Sequence, residues 1–276
     1  VATGSETGAS GTDRDGGGDA PIVLIAPAMA IGARFYTPLT AAFEASGWAA
    51  RTLPRRGFEP DEPTASRAVD WSYGDEIATI ATAVTAARAE DAERPVVVLG
   101  HSLGAQLAVG CQLTSARADG LVTVGGSLPH FRHFPYGGLP VATAAALVPA
   151  LTATFGYLPK PALGAPGART MMREWARMVL TGTPPFPTEP AIDAPALVIA
   201  LGGDTLAPRR GIDAFARRLF APDAVTRWDY ERSAVPPGAS NDHIQWVRSP
   251  GPVVDRVVDW WQRRSTAFDT QTYSMR

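Results

Sequence analysis

Residues 100–104 read Gly-His-Ser-Leu-Gly and follow the apolar run Val96-Val97-Val98-Leu99. Small and helix-compatible residues come next, through Ala105 and Ala108. A buried strand that turns at once into a helix forces its central residue into a strained backbone conformation. The positions two before and two after it must be almost free of side chain. Gly100 and Gly104 meet that need around Ser102. Such a turn holds a hydroxyl above the edge of a sheet. It also aims the free N–H groups at the helix start, Leu103 first, toward any negative charge that develops there. The chemistry this suggests is nucleophilic attack by Ser102.

A serine hydroxyl needs a base. The chain has four histidines: His101, His130, His133 and His243. His101 adjoins the serine, and its ring cannot easily curl back to its neighbour. It is expected to pack or to shape a pocket. His130 and His133 would line a pocket or sit on the surface. His243, in "GASNDHIQW", follows the last predicted strand and precedes the last helix, so it is the expected base. The acid that orients it should follow an earlier strand. Asp204 ends "ALVIALGGD" and is the first choice; Asp229 in "TRWDY" is the second. Asp242 is adjacent to His243, and neighbouring side chains rarely face one another. The acid would fix the imidazole tautomer and stabilise the imidazolium.

These residues need a sheet with a common edge. Strands are predicted at 21–27, 48–53, 95–100, 120–126, 194–204 and 224–230, and helices at 35–47, 74–89, 103–116, 208–220 and 252–264. Strands alternating with helices build a parallel sheet covered on both faces. Strands buried on both faces read as continuous apolar runs, as these do. The fold class is therefore α/β with a mostly parallel central sheet. Residues 20–126 and 191–266 form its core. Residues 127–190, dense in Pro, Gly and aromatics, are too long for an ordinary connection. They are read as an inserted cap of two or three helices, one of them at 169–180. Residues 1–19, polar and glycine-rich, are read as a disordered leader, and 267–276 as a C-terminal tail.

The 276 residues carry a net charge of −2, so no basic face calls for a nucleic-acid partner. The single cysteine, Cys111, excludes an internal disulfide. No run of apolar residues reaches the ~18 of a membrane span. Cytoplasmic location and a monomer or homodimer are the expectations. Lys160 is the only lysine, an arginine-rich bias typical of GC-rich bacterial genomes.

"GHSLG" at 100–104, "GGD" at 202–204 and "DH" at 242–243 together resemble the α/β-hydrolase fold superfamily, over about residues 20–265. More closely, "PAMAIGARFY", "RRG" at 55–57, "DWSYGDE" at 70–76 and "MREWARM" resemble a poorly characterised bacterial subgroup of predicted α/β hydrolases. The resemblance implies acyl transfer in two steps through an acyl-enzyme, with the order Ser, Asp, His and without a cofactor or metal. It places the second oxyanion donor in the loop after the first strand. Many such enzymes have His-Gly there. This chain has Pro27-Ala28, and by position the Met29 N–H is the donor. The aromatic cap, with Phe134, Tyr136 and Trp175, implies a largely apolar small-molecule acyl substrate: an ester, thioester or lactone. Acyl transfer or cyclisation on the same triad, a low-turnover receptor, and cofactor-free oxygen or C–C bond chemistry are the alternatives.

Overall fold

The computed structural model describes residues 20–160 and 165–273; the leader read at 1–19 lies outside them. Six parallel strands form one sheet: β1 Ile22–Ala26, β2 Ala49–Thr52, β3 Val96–His101, β4 Gly120–Val124, β5 Ala196–Leu201 and β6 Val225–Tyr230. Their spatial order is β2-β1-β3-β4-β5-β6. The helices are α1 Thr37–Ala45, α2 Tyr73–Glu90, α3 Leu103–Thr114, α4 Leu139–Phe155, α5 Arg169–Thr181, α6 Arg209–Leu219 and α7 Gly251–Tyr273. β1, β3, β4 and β5 are buried along their whole length, while the edge strands β2 and β6 are partly open.

Alternation explains why the central strands are apolar at every position. Leu24, Val96 and Val98 face the α2 and α3 side, with Ile77, Ile80 and Leu107. Val23, Val97, Leu99 and Val122 face the other side, against Leu39 and Phe43 of α1 and Val254, Val257 and Trp261 of α7. A strand with helices on both faces needs apolar residues on both.

α2 starts on a capping box: the Ser72 side chain accepts from the Asp75 N–H, and the Asp75 carboxylate accepts from the Ser72 N–H. The chain leaves the sheet after β4 and returns at β5. In between, α4 and α5 pack on one another, with short 3-10 turns ahead of them. The connection is anchored to the core through Asp70. Its carboxylate accepts from the Thr170 N–H and hydroxyl and pairs with Arg169, at the start of α5.

The tail read at 267–276 is helical as far as Tyr273, as a continuation of α7. No Gly or Pro lies between Val253 and Arg276 to stop that helix. And one stretch, Tyr136–Phe155, is long and apolar enough to cross a membrane by length and composition, with 20 residues and mean hydropathy 1.5. Its Gly, Thr and Pro residues interrupt a run of apolar letters but bring no charge.

Candidate active site

Ser102 sits between β3 and α3 with φ +55° and ψ −115°. Among the described residues only Ala30, Ser102 and Tyr136 combine a side chain with positive φ. Such a conformation costs about 1–3 kcal/mol and persists only where the surroundings enforce it. The enforcement is visible at both flanking glycines. A Cβ on Gly104 would lie 2.0 Å from the Ala26 carbonyl oxygen, and one on Gly100 would lie 2.4 Å from Ala105 Cα. The Ser102 N–H donates to the Val124 carbonyl at 2.9 Å, which ties the turn to β4.

The Ser102 hydroxyl donates to His243 Nε2 at 2.8 Å. On the far side of the ring, His243 Nδ1–H donates to Asp204 Oδ2 at 2.6 Å. The other oxygen of Asp204 accepts from the Leu206 and Ala207 N–H groups at 2.7 and 2.8 Å. The Asp204 side chain is 1% exposed. A carboxylate held this way accepts on both oxygens, so the proton on the ring belongs at Nδ1 and Nε2 is left to accept from the serine. Asn241 helps place the segment that carries His243: its amide donates to the Tyr230 carbonyl at 2.7 Å, and its own carbonyl accepts from the Gly203 N–H at 3.2 Å. Asp229, the second-choice acid, is instead paired with Arg209 at the edge of the sheet. Asp242 turns away from the imidazole and accepts from the Ile244 and Gln245 N–H groups.

Above Ser102 lies a cavity of about 310 Å³ whose walls include Met29, Ile31, Leu103, Phe134, Val141 and Trp175. Leu103 is the first residue of α3, where helix geometry leaves N–H groups without intrahelical partners. In the facing loop the Ala28 N–H donates to the Tyr36 hydroxyl at 2.8 Å. Ala28 is therefore committed elsewhere, and Met29 is the next N–H along. The turn continues into Ala30, at φ +61°.

The remaining histidines and Tyr136 do not join the cavity wall. His101 is fully buried behind Ser102. It accepts from the Tyr36 hydroxyl at Nδ1 (2.7 Å) and donates from Nε2 to the His243 carbonyl (2.6 Å). Burial, and then the nearby His243, pull its pKa down to about 3, so the ring is neutral and one tautomer serves both bonds. Ala28, Tyr36, His101 and the His243 backbone thus form one buried hydrogen-bonded chain beneath the site. His130 and His133 lie in a separate shallow depression with Arg217 and Arg218. The 3-10 turn Phe131–His133 faces them toward α6, and His133 Nδ1–H donates to the Leu128 carbonyl at 3.0 Å. Tyr136 is 89% exposed, because its left-handed turn ahead of α4 points it outward.

Sequence reasoning missed Gln106, whose side chain reaches the cavity. It lies four residues after Ser102 in the first turn of α3, whose next polar residue is Gln112, so it shares a face with the serine. That spacing was a readable signal. The Tyr73 hydroxyl donates to its Oε1, and its Nε2 donates to the Ser127 carbonyl, both at 2.9 Å.

No family model matches the chain, and no curated protein sequence matches it. Solved structures do. The chain is similar to an esterase, EaEST, from Exiguobacterium antarcticum, at 15% identity over 88% of this chain and 92% of that one, with a TM-score of 0.56. It is similar to a monoacylglycerol lipase from Paleococcus ferrophilus, at 16% identity over 88% and 96%, with a TM-score of 0.57. It is also similar to the type II thioesterase BorB of the borrelidin biosynthetic cluster, at 18% identity over 87% and 91%, with a TM-score of 0.55. The chain has the α/β-hydrolase fold.

In an α/β-hydrolase the strand-to-helix turn stands at the carboxyl end of a parallel sheet, where loops from several strands meet. Here those loops are the one after β1 with Met29, the one after β5 with Asp204 and the one after β6 with His243. Side chains 39 and 141 residues apart in sequence come within hydrogen-bonding distance only because parallel strands deliver all their loops to one edge.

Proposed function

We propose that the protein is a serine hydrolase that cleaves an ester, thioester or lactone of a largely apolar small molecule. The observation that carries this reading is the unbroken Ser102–His243–Asp204 hydrogen-bonded series at the floor of an apolar cavity. In the proposed reaction His243 takes the Ser102 proton as Oγ attacks the carbonyl carbon. The tetrahedral oxyanion rests on the Leu103 and Met29 N–H groups. The imidazolium, stabilised by Asp204, then protonates the leaving group, and water releases the acyl group by the same steps in reverse roles. The size of the cavity, about 310 Å³, suits a small acyl group rather than a polymer. Its walls of Met29, Ile31, Phe134, Val141 and Trp175 favour an apolar one. The esterase, lipase and thioesterase among the structural neighbours support an ester or thioester bond as the target.

The test is a screen of acyl esters and thioesters graded by chain length, with Ser102→Ala as the blank. Turnover is expected to rise with acyl chain length and then fall once the chain outgrows the cavity. Trp175→Ala should move that optimum toward longer chains. Activity that ignores acyl length, or a Ser102→Ala protein as active as the parent, would remove this reading.

A further inference from the structure

The outer face of the cap is unusual. A helix in water normally carries charged residues on its open face. α4 carries none: from Phe134 to Pro159 the chain has no Asp, Glu, Lys or Arg. Only 22% of the most apolar window of Tyr136–Phe155 is buried. Tyr136, Leu139, Leu147 and Phe155 are four of the six large hydrophobic side chains that stand exposed among the described residues, and a fifth, Leu206, lies on the rim of the cavity. Val141, on the inner side of the same helix, lines the cavity. α4 thus borders the site on one side and presents an open apolar face on the other. Isolated apolar side chains at a surface are ordinary, whereas a contiguous group marks an interaction face.

The cations at the two ends of α4 are exposed, whereas Arg169 on α5 is paired with Asp70 and Glu174 follows Arg173. Between Gly120 and Arg173 the chain has no acidic residue, and its four charged residues are Arg132, Lys160, Arg169 and Arg173. The protein as a whole is at −2, so this bias is local. Arg132 stands exposed ahead of α4, and Lys160 stands exposed beyond its end. Arg67, also exposed, donates to the Thr154 carbonyl in the last turn of the helix. Arg173 donates to the Thr152 hydroxyl on the adjoining side.

We propose that α4 and the turn before it form a docking surface for an anionic lipid–water interface. The helix would lie in the plane of that interface, its apolar face among the acyl chains and its flanking cations on lipid phosphates. An uncharged helical face bordered by Arg and Lys has the chemistry of helices that lie on a membrane rather than cross it. Each juxtamembrane cation adds to the attraction for an anionic leaflet, and added salt weakens it. The docking does not depend on the hydrolase reading, because it uses none of Ser102, His243 or Asp204.

The experiment is sedimentation of the full chain with phosphatidylcholine vesicles, with and without phosphatidylglycerol. Binding is expected to the mixed vesicles, at least ~10-fold tighter than to phosphatidylcholine alone, and weakened by salt. Leu139→Asp/Leu147→Asp should abolish it. Arg132→Glu/Lys160→Glu should weaken it by ~10-fold or more. Ser102→Ala should bind like the parent, which separates docking from catalysis. Leu139, Leu147, Arg132 and Lys160 are exposed, and unchanged thermal melting would show that the variants fold. Three results would overturn the proposal: no binding to either vesicle, equal binding by the leucine variant, or a dimer in solution that Leu147→Asp converts to monomer without any vesicle binding by the parent. Equal affinity for both vesicle types would overturn the anionic preference.

Discussion

His243→Ala is expected to lower kcat on an activated ester by about six orders of magnitude while leaving the fold intact. The size follows from the geometry. Without the ring, no other base among the described residues is bonded to the Ser102 hydroxyl: His101 is neutral, lies behind the turn, and already donates one nitrogen to the His243 backbone. Ser102→Ala should cost about as much, and the double variant little more than either single one, because the two residues act as a unit. Asp204→Asn should be less severe, about 10⁴-fold, since the ring would remain but would be held in the wrong tautomer. Steady-state kinetics with each variant checks the series. A loss below ~100-fold in His243→Ala would place the base elsewhere.

Glu76→Gln is expected to destabilise the protein by about 3–5 kcal/mol. Arg55 and Glu76 are each 2% exposed and pair at 2.9 Å. A second guanidinium nitrogen donates to the Pro27 carbonyl in the loop that carries Met29. Burial raises the Glu76 pKa and the Arg55 charge opposes that rise, so each charge is tolerable only with its partner. Neutralising one leaves the other stranded in a low-dielectric site, which is costlier than losing an exposed pair. Arg55→Met/Glu76→Leu should therefore be less destabilised than Glu76→Gln alone, even with two residues changed. Urea unfolding of the three proteins measures this. Equal midpoints for the parent and Glu76→Gln would show that the pair contributes nothing. Because Arg55 also holds Pro27, the double variant should lose kcat more than it raises KM, as expected when a group that meets only the transition state is loosened.

The same two residues show what a sequence hides. "RRG" and "DWSYGDE" stand out as motifs, yet nothing in their letters says that Arg55 of one pairs with Glu76 of the other under the loop after β1. That pairing is a tertiary fact. Strand and helix order, by contrast, is written in local patterns. Continuous apolar runs mark strands covered on both faces, and Gly100 and Gly104 mark the sharp turn at Ser102. A parallel sheet then sends every loop that follows a strand to the same edge, which is why Asp204 and His243 could be nominated from their places after strands. Where no such rule applies, letters mislead. His130, His133 and Tyr136 lie between β4 and α4, where a 3-10 turn and a left-handed residue decide which way each side chain points. His101 adjoins the serine in sequence but faces the opposite side of the strand end. Gln106 was readable from its four-residue spacing to Ser102, a signal weaker than a histidine's.

Fluorophosphonate labelling followed by peptide mass spectrometry tests the central claim most directly. The arrangement of Ser102, His243 and Asp204 predicts a single adduct, on the peptide that carries Ser102. It should vanish in Ser102→Ala and form far more slowly in His243→Ala. A folded protein that takes no label, or that takes it on another residue with Ser102 untouched, would contradict the assignment.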